Sequence, residues 1–394
     1  MGGGDIASNN EDKPEGAQRV LVVISSLGGG GAERVVTDLC EYLAKEGRHV
    51  TLLTLSGEDK DVYRLSNRVS RVRIEIRRTS NSIFQTLRNA VWHIQKIKLT
   101  IQSCQPDVVI SFIDQTNVRV LLSLINTNIP AIVSERIHPA YHDIGKIWKI
   151  ARRLTYPFAQ ALVVQTSDVR DWASKYYKQK CIYVIPNAFR SQRFGNMTRS
   201  KTSLLKPSLI LAVGRLNRQK GFDLLIEAFR RSELAEQNWH LAILGEGPER
   251  DALESQINSA SFNNAVSLPG FVQHIAEWYA KADMFILSSR YEGFPNALLE
   301  AMQYSLPCIA FDCPSGPSDI IDHGKNGLLV PPQNLEALKN ALIQLAQSPE
   351  LRSEFGKNGT EVNQSFSPET VYRKWSQIID KVFTSYQSRQ ADGV

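Results

Sequence analysis

Apolar residues in this chain gather into short unbroken runs, each followed by a stretch of helical periodicity. Arg19–Leu27 (RVLVVISSL) reads as a strand, followed by Gly28–Gly31, a helix from Ala32 to about Glu46, and a second strand, HVTLLTL. Val35, Val36, Leu39 and Leu43 recur at helical spacing and mark the face that turns inward. The order returns later: LILAVGRL predicts a strand, NRQKG a polar turn, then come a helix with Leu224, Leu225, Ala228 and Phe229 and the strand HLAILG. PDVVISFI, AIVSE and ALVVQT add strands to the first half, and ADMFILSS, PCIAFD and GLLVP to the second. Continuous apolar strands alternating with amphipathic helices form parallel sheets covered on both faces. The expected fold is α/β, two doubly wound Rossmann-like domains. Ligands in such folds bind beyond the carboxyl ends of the strands, so two domains presenting those ends to each other form a cleft.

The expected boundaries are a disordered tail over residues 1–18, a first domain over 19–190, a polar, basic linker over 191–207 and a second domain over 208–368. Residues 369–388 form a terminal helix with Val371, Trp375, Ile378, Ile379 and Val382 on one stripe, expected to pack back on the first domain. A chain of 394 residues holds two or three domains at ~150 residues each. Hydrophobic residues at 42% and charged residues at 22% exclude disordered and fibrous classes. No apolar run approaches the ~18–20 residues of a membrane span. The start, MGGGDIASNNEDKPEGAQ, lacks the apolar core of a secretory signal, and Ile6 stands where myristoylation needs Ser or Thr. Five scattered cysteines (Cys40, Cys104, Cys181, Cys308, Cys313) suggest neither a disulfide framework nor a zinc site and fit a reducing cytosol. In that compartment the Asn-x-Ser/Thr triplets at Asn196, Asn358 and Asn363 carry no meaning. Charge is uneven, net +8 over residues 1–190 and net −2 over the rest, which points the first half at something anionic. The charge is dispersed and no recognition motif accompanies it, so nucleic acid is not the expected partner.

Three elements carry chemistry. Gly28–Gly31 leads from a strand into a helix, where bare backbone and free N–H groups favour an anion. A tight turn without a ligand fits the loop as well, and Glu33 stands where a dinucleotide fingerprint needs Gly or Ala. The turn from Gly214 to Gly221 places Arg215 past a strand end and Lys220 at the next helix, two cations suited to a diphosphate or, alternatively, solvated surface charge. In SSRYEGFPNALLEA, Pro295 suits the first helical position, with Glu292 at the helix entrance and Glu300 one to two turns inside. One carboxylate can meet a sugar and the other a ribose. Spacing alone fits equally an acidic cap and an exposed helix residue.

Glu-x7-Glu at Glu292 and Glu300, with GRLNRQKG before it and GGGGAERV at the start, resembles the retaining GT-B glycosyltransferases, in order through nearly the whole chain from about Arg19. GGAERV and Ser134-Glu135-Arg136 further resemble the bacterial branch that builds lipid-linked oligosaccharides and surface polysaccharides, N-acetylgalactosamine transferases of protein glycosylation among them. The resemblance implies that Arg215 and Lys220 hold a donor diphosphate, helped by backbone at Gly29, Gly30 and Gly31 and at Asn296, Ala297 and Leu299. It implies that Glu300 binds the ribose, that the backbone of Gly270, Phe271 and Val272 reads the base, and that Glu292, near Phe294, orients the donor sugar. It also implies retention of anomeric configuration without a metal; the one Asp-x-Asp, Asp59-Lys60-Asp61, is expected to be solvated loop. Many relatives have His directly after the glutamate of the Ser-Glu segment. Arg136 stands there in this chain and can itself contact donor or acceptor; His138, two residues on, either substitutes for the missing histidine or is a histidine without a role.

The expected substrates are a nucleotide-sugar, UDP- before GDP-linked, and a lipid-linked or saccharide acceptor. The alternatives are a GDP-mannose-type mannosyltransferase, a nucleotide-sugar epimerase of the same fold, and a non-catalytic glycan-binding module. The stretch from Lys146 to Leu154 puts Ile147, Ile150, Ala151 and Leu154 on one helical face and Lys146, Lys149 and Arg153 opposite. With the basic first half, this predicts a cytoplasmic protein touching an anionic membrane through its first domain; an ordinary surface helix packed on the core is the alternative.

Overall fold

The computed structural model describes residues 18–28, 30–57, 61–75, 83–178, 181–189, 208–259 and 264–391. The expected linker, the tail before Gln18, and Gly29, Asp59, Lys60 and Asn196 lie outside them. Seven strands form the first sheet: β1 (Arg19–Ile24), β2 (His49–Thr54), β3 (Ser70–Arg73), β4 (Val108–Phe112), β5 (Ala131–Ser134), β6 (Ala161–Val164) and β7 (Ile182–Val184). All pairings are parallel, in the order β3-β2-β1-β4-β5-β6-β7. Six more strands form the second sheet: β8 (Ser208–Val213), β9 (Trp239–Leu244), β10 (Val266–Gly270), β11 (Met284–Leu287), β12 (Cys308–Phe311) and β13 (Leu328–Val330). Their order is β10-β9-β8-β11-β12-β13, again parallel. In both sheets the strand order reverses beside the first strand, between β1 and β4 and between β8 and β11. Ligands of doubly wound sheets bind at that point.

The unbroken apolar runs follow from two-sided burial. On β8, Ile210 and Ala212 join a core with Leu225, Phe229 and Leu342, while Leu211 between them joins one with Tyr279, Leu298 and Met302. The first helix, Gly31–Lys45, buries Val35, Val36, Leu39 and Leu43 as its periodicity requires.

The chain divides into two compact units. One takes in the chain through Gln165, Val169–Ile185 and everything from Val371 onward; the other takes Thr166–Asp168 and Pro186–Thr370. The long last helix, Pro368–Ala391, therefore belongs mostly to the first unit. Its Trp375 is fully buried with its ring 5.4 Å from that of Phe112, and Val371, Ile379 and Val382 are buried on the same stripe. Arg48 ties the helix down, donating to Ser376 Oγ at 2.6 Å and Asp380 Oδ2 at 3.0 Å. No helix among the described residues is long and apolar enough to cross a membrane.

Removing the Trp375 ring leaves a void in this packing. Trp375→Ala is expected to lower unfolding free energy by about 3–5 kcal/mol, and exposed Gln377→Ala by no more than about 0.5 kcal/mol, read from the midpoint of chemical denaturation.

Candidate active site

In the second unit the loops leaving β8 and β11 are drawn together at the reversal point. Asn217 Oδ1 accepts from the Lys220 backbone N–H at 3.3 Å and closes a 3-10 turn over Arg218–Lys220. The helix begins only at Phe222, so Lys220 sits on the turn before it. Gly221 has φ +63°, and a Cβ there would lie 2.1 Å from Ser288 O, so the two loops can approach only where the side chain is hydrogen. Ser288 Oγ donates to Lys220 O at 2.9 Å, Arg290 N–H to Gln219 O at 2.7 Å, and Gln219 Nε2 to Tyr291 O at 2.9 Å. Arg290 forks Asp223 with bonds of 2.9 and 2.7 Å and fastens the loop to the helix.

This cross-bracing brings Lys220 and Glu292 together. Lys220 Nζ lies 2.6 Å from Glu292 Oε1, which also accepts from Ser289 Oγ at 2.6 Å. Glu292 is buried, and its backbone N–H donates to Pro314 O at 3.1 Å. The Lys220 stem runs across Gly214, where a Cβ would meet Lys220 Cδ and Cε at 3.1 Å. Arg215 is exposed and has no hydrogen-bond or ion-pair partner for its side chain among the described residues. The strand end thus carries one oriented cation, one uncommitted cation and one oriented carboxylate, the groups that a diphosphate and a hydroxyl-rich neighbour require.

The remaining expected donor residues are placed unevenly. Glu300 Oε2 accepts from Tyr279 Oη at 3.2 Å, and Asn296 Oδ1 from Asn187 Nδ2 at 2.8 Å. Pro295 precedes the helix Asn296–Gln303 as its N-cap rather than opening it, with Asn296 N–H turned back on Phe294 O at 3.0 Å. Phe294 and Leu299 are core side chains, the former ring 5.9 Å from Phe366; only their backbone can face a ligand. Ala297 is half-buried. At the end of β10, Gly270 has φ +82° and accepts from Gly245 N–H at 2.9 Å. Phe271 beyond it is 82% exposed, and Val272 packs on the core.

In the first unit the helix after β1 starts at Gly31 with Gly30 as a cap that offers no side chain. A Cβ on Gly30 would lie 2.2 Å from Glu33 Oε2, so the Glu33 carboxylate lies across this helix start, where the dipole favours an anion. Burial raises that carboxyl above its ordinary value. Asp61, at the end of the Asp-x-Asp, is ion-paired to Arg71.

The loops after β4 and β5 hold a buried polar cluster that sequence spacing does not reveal. Glu135 Oε1 accepts from Tyr156 Oη at 2.6 Å and lies 3.5 Å from the Arg152 guanidinium. Asn117 donates to Tyr156 Oη at 2.9 Å and to Ser134 O at 3.0 Å, and accepts from Ser111 Oγ at 2.8 Å. His142 Nδ1 stands 3.0 Å from Asp114 Oδ2. Ile113, between β4 and this cluster, has φ +75°, a β-branched residue in a region that costs about 1–3 kcal/mol. Of the two acceptor-side candidates, Arg136 is buried over the Phe112 ring at 5.7 Å, and desolvation brings it down to about 10. His138 is buried with Nδ1 accepting from Ala140 N–H at 3.1 Å, its ring 4.8 Å from that of Tyr141. The half-exposed titratable group near this strand end is instead His142.

Two parallel Rossmann-like sheets, each with its strand order reversing beside the first strand, are the architecture of the GT-B glycosyltransferases. The family model "Glycosyl transferases group 1" matches residues 196–362, and "Glycosyltransferase Family 4" matches residues 29–193. Residues 196–362 thus match the group 1 glycosyltransferases and residues 29–193 the family 4 glycosyltransferases. It is 29% identical over 374 residues to the amylovoran biosynthesis glycosyltransferase AmsD of Erwinia amylovora, covering 92% of this chain and 99% of that one. It is 27% identical over 365 residues to a Campylobacter jejuni alpha-1,4-N-acetyl-D-galactosaminyltransferase named for a diNAcBac-PP-undecaprenol-linked substrate, covering 92% and 99%. Among solved structures, sucrose-phosphate synthase from Thermosynechococcus elongatus superposes with a TM-score of 0.78 at 21% identity, over 93% of this chain and 100% of that one. Anabaena HepE in complex with UDP gives 0.73 at 17%, over 92% and 100%.

Burial raises the Glu135 carboxyl to about 7, and the hydrogen bond to Asp114 raises His142. Both groups thus bind protons more tightly folded than unfolded, and the stability they contribute is lost as pH rises. For Glu135 the loss runs from about the ordinary carboxyl value of 4.5 up to about 7; for His142 it begins at about 6.5. Glu135→Gln is expected to flatten the fall in melting temperature between roughly pH 5 and 8, measured in a series of buffers.

Proposed function

We propose that the chain is a retaining, metal-independent transferase that moves a hexose or N-acetylhexosamine from a UDP-sugar to a lipid-linked or saccharide acceptor. In this reading it works at the inner face of a membrane. The observation that carries it is the loop cluster of the second unit, with Lys220 held on Glu292 and Arg215 exposed beside it. Lys220 and Arg215 take the diphosphate and meet the negative charge that grows on it as the bond to the sugar breaks. Preorganised cations of this kind are a large catalytic term because they need no reorganisation as the charge develops. Glu292, fixed by Ser289 and Lys220, accepts from hydroxyls of the donor sugar. Glu300, steadied by Tyr279, accepts from the ribose, and the backbone of Gly270, Phe271 and Val272 reads the base. The acceptor hydroxyl attacks from the face the diphosphate leaves, and a diphosphate oxygen takes its proton. The first unit supplies acceptor contacts from the loops after β4 and β5, with His142 and Asp114 joining Arg136 and His138 as candidates.

The polysaccharide and PP-undecaprenol names of the Erwinia and Campylobacter relatives support such an acceptor, and the UDP and glucose bound in Anabaena HepE support the donor. Glu292→Gln and Lys220→Ala are each expected to cut turnover by about 10²–10³-fold while the fold survives, in a transfer assay against UDP- and GDP-sugars with and without acceptor; Lys220→Ala also lowers the melting temperature, because it leaves Glu292 buried without its cation. Near-normal transfer by either variant contradicts the role assignment, and donor conversion without acceptor favours an epimerase.

A further inference from the structure

The helix Ser167–Ser174 leads into an aromatic cluster of the first unit, in which the Trp172 ring lies 5.2 Å from that of Tyr176 and 6.5 Å from that of Tyr177. Buried Tyr156 continues it inward, its ring 5.6 Å from Tyr177. In the other direction the His138 ring stands 6.4 Å from Trp172, with Tyr141 next to it. The rings therefore run from the loop after β5 to a cavity of about 350 Å³. That cavity is lined by Trp172, Tyr176 and Tyr177, by Lys149, Arg152 and Arg153, and by the loop residues next to His138.

The lining selects a ligand. Its volume lies at the small end of the range of about 300–1,000 Å³ for small-molecule sites, enough for a short saccharide and too little for a folded partner. Tyr176 is exposed and Trp172 half-buried, so part of each ring reaches the opening. Such rings offer an apolar face to the C–H face of a pyranose, and the phenol offers a polar tip to its hydroxyl edge. No acidic residue lines the cavity, yet two of its three cations are already answered. Arg152 is buried 3.5 Å from Glu135, with its guanidinium 5.1 Å from the Trp172 ring, and Lys149 pairs with Asp143 at 2.9 Å. Arg153 is exposed, its guanidinium 5.6 Å from the Tyr176 ring, and meets no carboxylate among the described residues. A single unanswered guanidinium beside a ring matches one carboxylate, which it can take with two parallel hydrogen bonds; a diphosphate calls for more charge than this.

We infer that the cavity seats an acidic saccharide, a pyranose unit that stacks on Trp172 and Tyr176 and lays its carboxylate on Arg153. Pro139 and Ala140 join the cavity to the loop that carries His138 and His142, so the seated unit belongs to the acceptor glycan and lies beyond the sugar that reacts. In naming a chemical class for the acceptor the inference deepens the proposed function and rests on it; the saccharide site itself does not.

The test is calorimetric titration of the full chain, without donor, with trigalacturonate and a hyaluronan tetrasaccharide as acidic probes and their methyl esters as neutral matches. At least one acid form is expected to bind, and its ester to bind at least about tenfold more weakly. Arg153→Gln is expected to bind acid and ester alike. Tyr176→Ala is expected to weaken the acid form by at least about fivefold, and so is Tyr176→Leu, which keeps the volume beside Trp172 filled. All three variants should keep the wild-type melting temperature. The proposal is overturned if neither acid form binds up to about 10 mM, if acid and ester bind the wild type equally, or if the variants bind like wild type. Displacement of the bound saccharide by equimolar inorganic pyrophosphate also overturns it and assigns the cations to phosphate. Because no donor is present and no transfer is measured, each of these outcomes leaves the transferase reading standing.

Discussion

Two loops that leave non-consecutive strands, β8 and β11, touch at Gly221 and Ser288, and the chemistry of the second unit depends on that contact. Gly221 at φ +63° lets the Ser288 carbonyl come where any Cβ would stand. From there the hydrogen bonds of Ser288, Arg290 and Gln219 lock the two loops into one body. Only then can Lys220 from one loop and Glu292 from the other sit 2.6 Å apart with Glu292 buried. A buried carboxylate needs its partner held in place, because losing that partner leaves an uncompensated charge. The arrangement therefore couples the fold of the reversal point to the position of both candidate catalytic groups.

The first unit solves a related problem with different means. Its reversal point lies between β1 and β4, and the strained Ile113 delivers the chain from β4 into the helix that carries Asp114 and Asn117. Glu135, Arg152 and Tyr156 form a hydrogen-bonded set in which burial pushes the carboxyl toward protonation while Arg152 pulls the other way. Such a cluster fixes the loops after β4 and β5 in one geometry, and it connects the strand end to the helix Lys146–Thr155 through Arg152. The strand-end cluster and the helix Lys146–Thr155 are thus tied into one network.

The alternation of apolar runs with helical periodicity was enough to read the central strands of both sheets, since two-sided burial leaves β8 apolar from Leu209 to Val213. The stripe of Trp375, Ile379 and Val382 was equally plain. Strands β3, β7 and β10 escaped notice: half-exposed SRVR and the three-residue IYV are edge strands without an apolar run, and VSLPG on the edge of the second sheet carries Pro and Gly. The cations and acids of the second unit were named from their spacing and the family resemblance, but their mutual pairing was not: Lys220 and Glu292 are 72 residues apart. For Phe294 and Leu299 the motif marks a position along the backbone, and only the structure shows that both side chains turn into the core. Glu135 with Tyr156 and Asn117 was invisible for a similar reason, as its partners come from three separate elements. For Lys146–Thr155 the periodicity identified an apolar face but not the side on which the core lies. The structure puts the core against Trp148 and Ala151 and leaves Ile147, Ile150 and Leu154 outside.

The central claim is that Lys220 and Arg215 exist to meet the second phosphate of a nucleoside diphosphate. Calorimetric titration of UDP against UMP, and of GDP against GMP, measures what that phosphate contributes to binding. The account predicts that the nucleotide bound by the wild type gains at least about a hundredfold in affinity from the second phosphate, and that Arg215→Ala/Lys220→Ala removes most of this gain while leaving monophosphate affinity nearly unchanged. A diphosphate-to-monophosphate affinity ratio that is the same in wild type and variant would contradict it.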